Sequence, residues 1–279
     1  MQLAICSYSF NRLLKRGEQD IFGYITTCRE LGCTQLDPWL GHLEPLREGD
    51  RTGREDLSED DRRYIDAVAQ AAVDAGLPMG CIAVDGAHIY EDEPAKREAN
   101  RRMARRWLAI AAGLGATRVR IDAGGPEEMP DDVFEVIKAG YGELIEVAAK
   151  DGVAVLTENH WGPSRHPANV VRLLDEIPGL ELLFDSYNWA PGKQGDGWLS
   201  CASRASSTHI KTFHFTADGQ ELTQNIPAVI DLLLDAGYAG PWGVESVPRA
   251  VDEIEGARRT IALIRKCVEG REAMAARSA

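Results

Sequence analysis

The residues best suited to chemistry stand where four apolar runs end in the C-terminal half of the chain. ENHWG supplies Glu158, Asn159 and His160; LLFDSYNW supplies Asp185 and Asn188; THIKTFHF supplies His209, Lys211 and His214; and WGVES supplies Glu245. Singly, each has a plain structural reading, because an acidic residue after a strand often caps a helix and a lone His is often a satisfied core group. Together they resist that reading. Three carboxylates brought to one level would repel and raise one another's pKa unless a cation sat among them. Three oxygen donors and one imidazole suit a moderately hard divalent ion, Mn²⁺ first, with Mg²⁺, Co²⁺ and Zn²⁺ possible. All-oxygen Ca²⁺ and all-thiolate Zn²⁺ fit less well.

These residues need a scaffold that delivers successive strand ends to one place. Short strand-like runs at 2–7, 34–37, 78–83, 117–122, 153–158, 180–185, 208–212 and 242–245 alternate with amphipathic stretches at 61–75, 95–114, 132–150, 168–177, 226–236 and 251–269. That alternation is the pattern of βα units with a parallel sheet. A glycine precedes most of the strands, at Gly32, Gly76, Gly115, Gly152, Gly179 and Gly237, where a left-handed cap would stop each helix in the same way. Eight units predict an α/β fold of one (β/α)8 TIM barrel with its chemistry at the carboxyl ends of the strands. The rival, a doubly wound sheet, lacks its usual GxGxxG or GxxxxGK[ST] after the first strand. Residues 1–270 are expected to form the single catalytic domain and 271–279 a fraying tail. The longest loop, 38–58, is expected to overhang the active face as a lid.

At these same residues the sequence resembles the sugar phosphate isomerase/epimerase family, the xylose-isomerase-like TIM barrels that include ketose 3-epimerases, dehydratases and the endonuclease IV branch. The resemblance runs from LAICSYSF through ENHWG, LLFDSYN and HIK to GVES. It implies a metal held by Glu158, Asp185, His209 and Glu245, spaced 27, 24 and 36 residues apart, with Glu158 and Glu245 also the acid/base pair. It further implies a homo-oligomer, a dimer or tetramer. Ketose 3-epimerases carry a His three residues after the metal Asp and an Arg six after the metal His; Asn188 and Phe215 stand there instead.

Other residues near the strand ends are open to two readings. Lys211 could stabilise an enolate or pair with Glu158 or Asp185, and His160 could shuttle a proton or hydrogen-bond behind a ligand. Arg120 could clamp an acidic substrate or pair with Asp122 or Asp85. His88, His214 and Asn188 are candidate substrate contacts. Trp39, Trp161 and Trp189 flank the expected mouth and could wall a sugar site or pack in the core, and His42 follows Trp39. No glycine-rich phosphate cradle follows the last strands.

Composition narrows the partners. Lys and Arg total 31 against 44 Asp and Glu, a formal charge of −13, which opposes nucleic acid or an anionic membrane. No apolar window is long enough to span a bilayer and the N-terminus lacks signal-peptide character, so a cytoplasmic location is expected. The six cysteines have no CxxC spacing and are expected as reduced thiols. The expected activity is therefore a divalent-metal-dependent isomerase or epimerase of a small sugar or other polyhydroxylated carbonyl compound, working by enolate proton transfer. The alternatives are a lyase, a decarboxylase or dehydratase acting on a sugar acid, and a non-catalytic sugar-binding barrel.

Overall fold

The computed structural model describes residues 1–278. Seven parallel strands, β1 (Leu3–Ile5), β2 (Cys81–Val84), β3 (Arg118–Ile121), β4 (Ala154–Glu158), β5 (Glu181–Asp185), β6 (Ala205–Thr212) and β7 (Trp242–Ser246), pair in the order β1-β7-β6-β5-β4-β3-β2. The strand expected at 34–37 is instead a run of single bridges that closes the ring between β1 and β2. Cys6 bridges Asp37 on one side, while Leu36 and Trp39 bridge Met79 and Ala83 on the other. Pro38 has no N–H to continue a ladder. The Asp37 side chain takes over a backbone role, its Oδ1 accepting from the Cys81 amide at 2.9 Å. The barrel thus has seven regular staves and one improvised closure.

Helices α1 (Asn11–Lys15), α2 (Ile21–Glu30), α3 (Arg47–Thr52), α4 (Glu59–Ala75), α5 (Pro94–Leu114), α6 (Asp131–Ala149), α7 (Pro167–Glu176), α8 (Gln194–Cys201), α9 (Ile226–Asp235) and α10 (Glu253–Ser278) flank the strands. The repeated glycines all take positive φ, between 69° and 84°, as the left-handed stops between helix and strand require. Alternate strand residues such as Val119, Ile121, Phe184, Ile210 and Val244 join Trp107, Phe134 and Tyr141 in the main core. The opposite faces of β2, β4 and β5 form a separate small cluster of Cys81, Leu156 and Leu183, with Ala154 against it. Period-two alternation therefore divides each strand into an outer apolar face and an inner one. The inner face turns polar toward the carboxyl end.

The 38–58 segment is not a free lid. It forms a 3-10 turn over Leu40–Leu46 followed by α3, and it buries Leu40, Leu43 and Leu46. The reason lies in α5: buried Arg106 donates to the carbonyls of Leu46 at 2.9 Å and Asp56 at 3.0 Å, and Trp107 Nε1 donates to Asp50. These bonds satisfy the segment's own polar groups, which allows it to lie against the core. The six cysteines are free thiols, five of them buried. No described helix is long and apolar enough to cross a membrane. The tail expected to fray is helical to Ser278, and Ala279 lies outside the described residues.

Candidate active site

Strand register brings the four expected ligands together. β5 and β6 pair Asp185 with His209, and β6 and β7 pair Lys211 with Glu245. The β6–β7 approach depends on Gly243, where a Cβ would lie 2.0 Å from the Thr208 carbonyl oxygen. One donor atom from each of Glu158, Asp185, His209 and Glu245 lies within 4.8 Å of the others, and all four residues are buried. His209 stands between the two glutamates, its Nδ1 3.3 Å from Glu158 Oε1 and 3.1 Å from Glu245 Oε2.

Each ligand is fixed from behind. Asn159 and Asp185 exchange two bonds across β4 and β5, the Asn159 amide donating to the Asp185 carbonyl at 2.9 Å and the Asp185 N–H donating to Asn159 Oδ1 at 2.8 Å. Asp185 Oδ1 accepts from the amides of Tyr187 and Asn188 at 2.6 and 2.8 Å. Its other oxygen is buried without a hydrogen-bond partner. Glu158 Oε2 is likewise buried and without one, although Arg120 Nε lies 2.9 Å away as an unaligned ion pair. Buried carboxylate oxygens without donors are costly, and a cation removes that cost. The donor set and these two free oxygens therefore fit a divalent metal, and Asp185 Oδ1 is already committed to the two amides that hold its carboxylate in place.

Charge within the site follows from these contacts. Burial pushes the Asp185 carboxyl up to about 6, Lys211 opposing this and the neighbouring Glu245 and Glu158 adding to it. Glu245 is also raised by burial, but Lys211 Nζ at 2.9 Å and His209 win, and its pKa falls well below the usual range. Glu158 is lowered in the same way, against burial, by His160, Arg120 and His209. Lys211 loses to burial but gains more from Asp185, Glu245 and Glu158, so its pKa is raised. It pairs with Glu245 and, at 3.5 Å, Asp185, while Asn188 Oδ1 accepts from it at 3.0 Å. The expected Glu158 partner is replaced by Glu245.

A cavity of 370 Å³ opens onto these residues, lined also by Cys6, Tyr8, Trp39, Asp85, Arg120 and His160. Arg120 and Trp39 reach it, yet both are held: Arg120 Nη1 donates to Asp85 and Asp122 at 2.8 Å, and Trp39 Nε1 donates to Asp85 at 2.7 Å. His160 Nδ1 lies 3.4 Å from Asp122 and 3.9 Å from Glu158. His88 and His214 are not among the lining residues. His88 turns toward Glu91 at 3.6 Å, and the His214 amide is pinned outside by Glu221 Oε1 at 3.2 Å. Trp189 packs against Phe184 in the core, and His42 is buried beside Tyr24.

Sequence reasoning missed Tyr8, Tyr187, Phe213 and Val247, all of which line the cavity. A signal was present. Each stands two residues beyond an inward group, after Cys6, Asp185, Lys211 and Glu245 respectively, as His160 does after Glu158. The pleat's period of two persists for one step past the strand end.

Similarity to known proteins agrees with this geometry. Among solved structures, the apo 3-keto-D-glucoside 4-epimerase YcjR of E. coli is 17% identical, with a TM-score of 0.69 over 89% of this chain and 95% of its own. An L-ribulose 3-epimerase is 16% identical, with a TM-score of 0.73 over 100% and 98%. The probable 3-DHS dehydratase AsbF of Bacillus anthracis is 15% identical, with a TM-score of 0.67 over 94% and 99%. No curated protein sequence matches. At these identities the likeness speaks for the fold, whereas a family model spans residues 25–267 and carries the assignment. On strand order, ligand placement and that match together, the chain belongs to the xylose isomerase-like TIM barrel family.

Proposed function

We propose that this chain is a divalent-metal-dependent isomerase or epimerase of a small polyhydroxylated carbonyl compound. The observation that carries the reading is the convergence of Glu158, Asp185, His209 and Glu245 at the ends of four successive strands, beneath a cavity of enzyme-site size. A bound divalent ion such as Mn²⁺ would polarise the substrate's oxygens and make the adjacent C–H acidic. One of Glu158 and Glu245, both kept ionised by neighbouring cations, would remove the proton, and the other, after taking up a proton from solvent, would deliver one to the opposite face. Lys211, beside Glu245, is placed to offset negative charge developing on the substrate. Proton return to the opposite face inverts the carbon, and return to its neighbour moves the carbonyl. The sugar epimerases of similar fold support this reading.

A lyase is the second reading, favoured by the dehydratase of similar fold. In it the Lys211 ammonium, 2.9 Å from Glu245, would protonate a departing hydroxyl. One experiment separates them: keto sugars incubated in D₂O with Mn²⁺-loaded and chelator-treated protein, followed by NMR. Metal-dependent deuterium uptake at the carbon next to the carbonyl, with inversion or carbonyl migration, is the expected result. Loss of water to an unsaturated product, or CO₂ release when keto sugar acids are incubated in parallel, favours the lyase. Undiminished turnover after complete metal removal overturns both.

A further inference from the structure

The floor of the cavity is charged, but its upper wall is aromatic. Trp161 and Tyr187 are 51% and 41% exposed, unusual for large apolar side chains, and both line the same cavity. Each is braced by a second ring: Trp161 by His160 at 4.7 Å and Tyr187 by Phe213 at 4.7 Å. Tyr8 and Trp39 form a third edge-to-face pair at 5.1 Å on the β1 side. Braced, exposed ring surface at a cavity mouth offers contact area at small conformational cost, and it has no partner within the chain.

The charges set a second condition. Five carboxylates (Asp85, Asp122, Glu158, Asp185 and Glu245) face two permanent cations, Arg120 and Lys211, each already paired with them. A divalent ion added to the site would still leave one negative charge. Among the described lining residues no cation is left over for an anionic substrate.

From these observations, and resting on the proposed sugar chemistry, we infer that the cavity takes an uncharged glycoside whose reacting ring also carries a carbonyl: that ring lies on the carboxylate floor and a second ring, joined through the glycosidic oxygen, stacks at Trp161 and Tyr187. The second ring is an aryl group or another sugar, since both present a flat face to an aromatic side chain.

Calorimetric titration of Mn²⁺-loaded protein with methyl and phenyl glycosides of glucose, galactose, mannose and xylose, the matching disaccharides and phenyl glucuronide tests this. The phenyl glycoside or the disaccharide of at least one sugar should bind about tenfold more tightly than its methyl counterpart, and which of the two gains more identifies the ring. Trp161→Ala and Tyr187→Ala, at exposed positions, should each reduce that gain, and the double variant should erase it. The glucuronide should bind more weakly than the neutral glucoside. Methyl and phenyl forms of equal affinity, or a glucuronide that binds best, overturn the inference but leave the sugar reading intact. Failure of every glycoside to bind overturns the inference, while deuterium exchange into free keto sugars decides the sugar reading separately.

Discussion

Two acidic clusters, each with a histidine, share the mouth of the barrel, and they differ in the source of their positive charge. Asp85, Asp122 and His160 have donor atoms within 4.8 Å of one another, as do the four residues on β4 to β7. In the first cluster the cation is built in, because Arg120 donates to both aspartates and lies against Glu158. In the second, Lys211 approaches from one side and leaves Asp185 Oδ2 without a hydrogen bond. Spacing alone would make both clusters metal sites. A guanidinium already seated in one, with Asp122 Oδ2 and Asp85 Oδ1 committed to it, leaves the other as the cluster with room for a metal ion.

The largest effects should come from the open cluster. Glu158→Gln and Glu245→Gln each remove an acid/base group and a ligand, and are expected to lower metal-dependent deuterium exchange by about 10²–10⁴-fold. Retained exchange would break the comparison. Next, Arg120→Met leaves three carboxylates without their cation and should cost about 3–5 kcal/mol in urea denaturation. Added Mn²⁺ should raise the stability of Lys211→Met more than that of Arg120→Met, and the reverse would exchange the roles of the clusters.

A histidine outside both clusters calibrates the acid response. Both ring nitrogens of His42 are buried without partners, and burial lowers its pKa to about 4. The unfolded chain therefore takes up this proton first, near 6.5, so stability should fall as pH drops from 6.5 to 4 by about 3 kcal/mol. His42→Phe should flatten that part of the pH profile. The smallest effect is expected at the junction of the clusters: His160→Gln should weaken Mn²⁺ binding about 10–100-fold by loosening Glu158, as loss of a group behind a metal ligand does.

The convergence of the four residues of the candidate metal site was legible in the sequence because period-two parity and strand ends place residues without reference to loops. Glu158, Asp185, His209 and Glu245 each fall on the last turns of an apolar run, and the sheet does the rest. Beyond the last ladder bond that logic fades: His88 turns to Glu91, the backbone N–H of His214 is held by Glu221, and neither residue lines the cavity. The 38–58 segment was misjudged for another reason. Its docking depends on a fully buried arginine inside α5, and nothing in the pattern of α5 distinguishes Arg106 from the half-buried arginines beside it. Similarly, 34–37 reads as a strand by composition, but its ladder is broken at Pro38 and patched by a side chain, Asp37.

That patched closure makes one side of the barrel easier to open than the rest. Amides at Leu36, Gly80 and Ala83, held across single bridges, are expected to exchange with deuterated solvent by local fluctuation well before those of β5 and β6. Trp39 is attached to this strip through its bridge to Ala83 and also lines the cavity. Transient parting there would enlarge the entrance from the Trp39 side while β4 to β7 keep their register. Breathing of the wall and rigidity of the ligand set are thus separable properties of one small barrel.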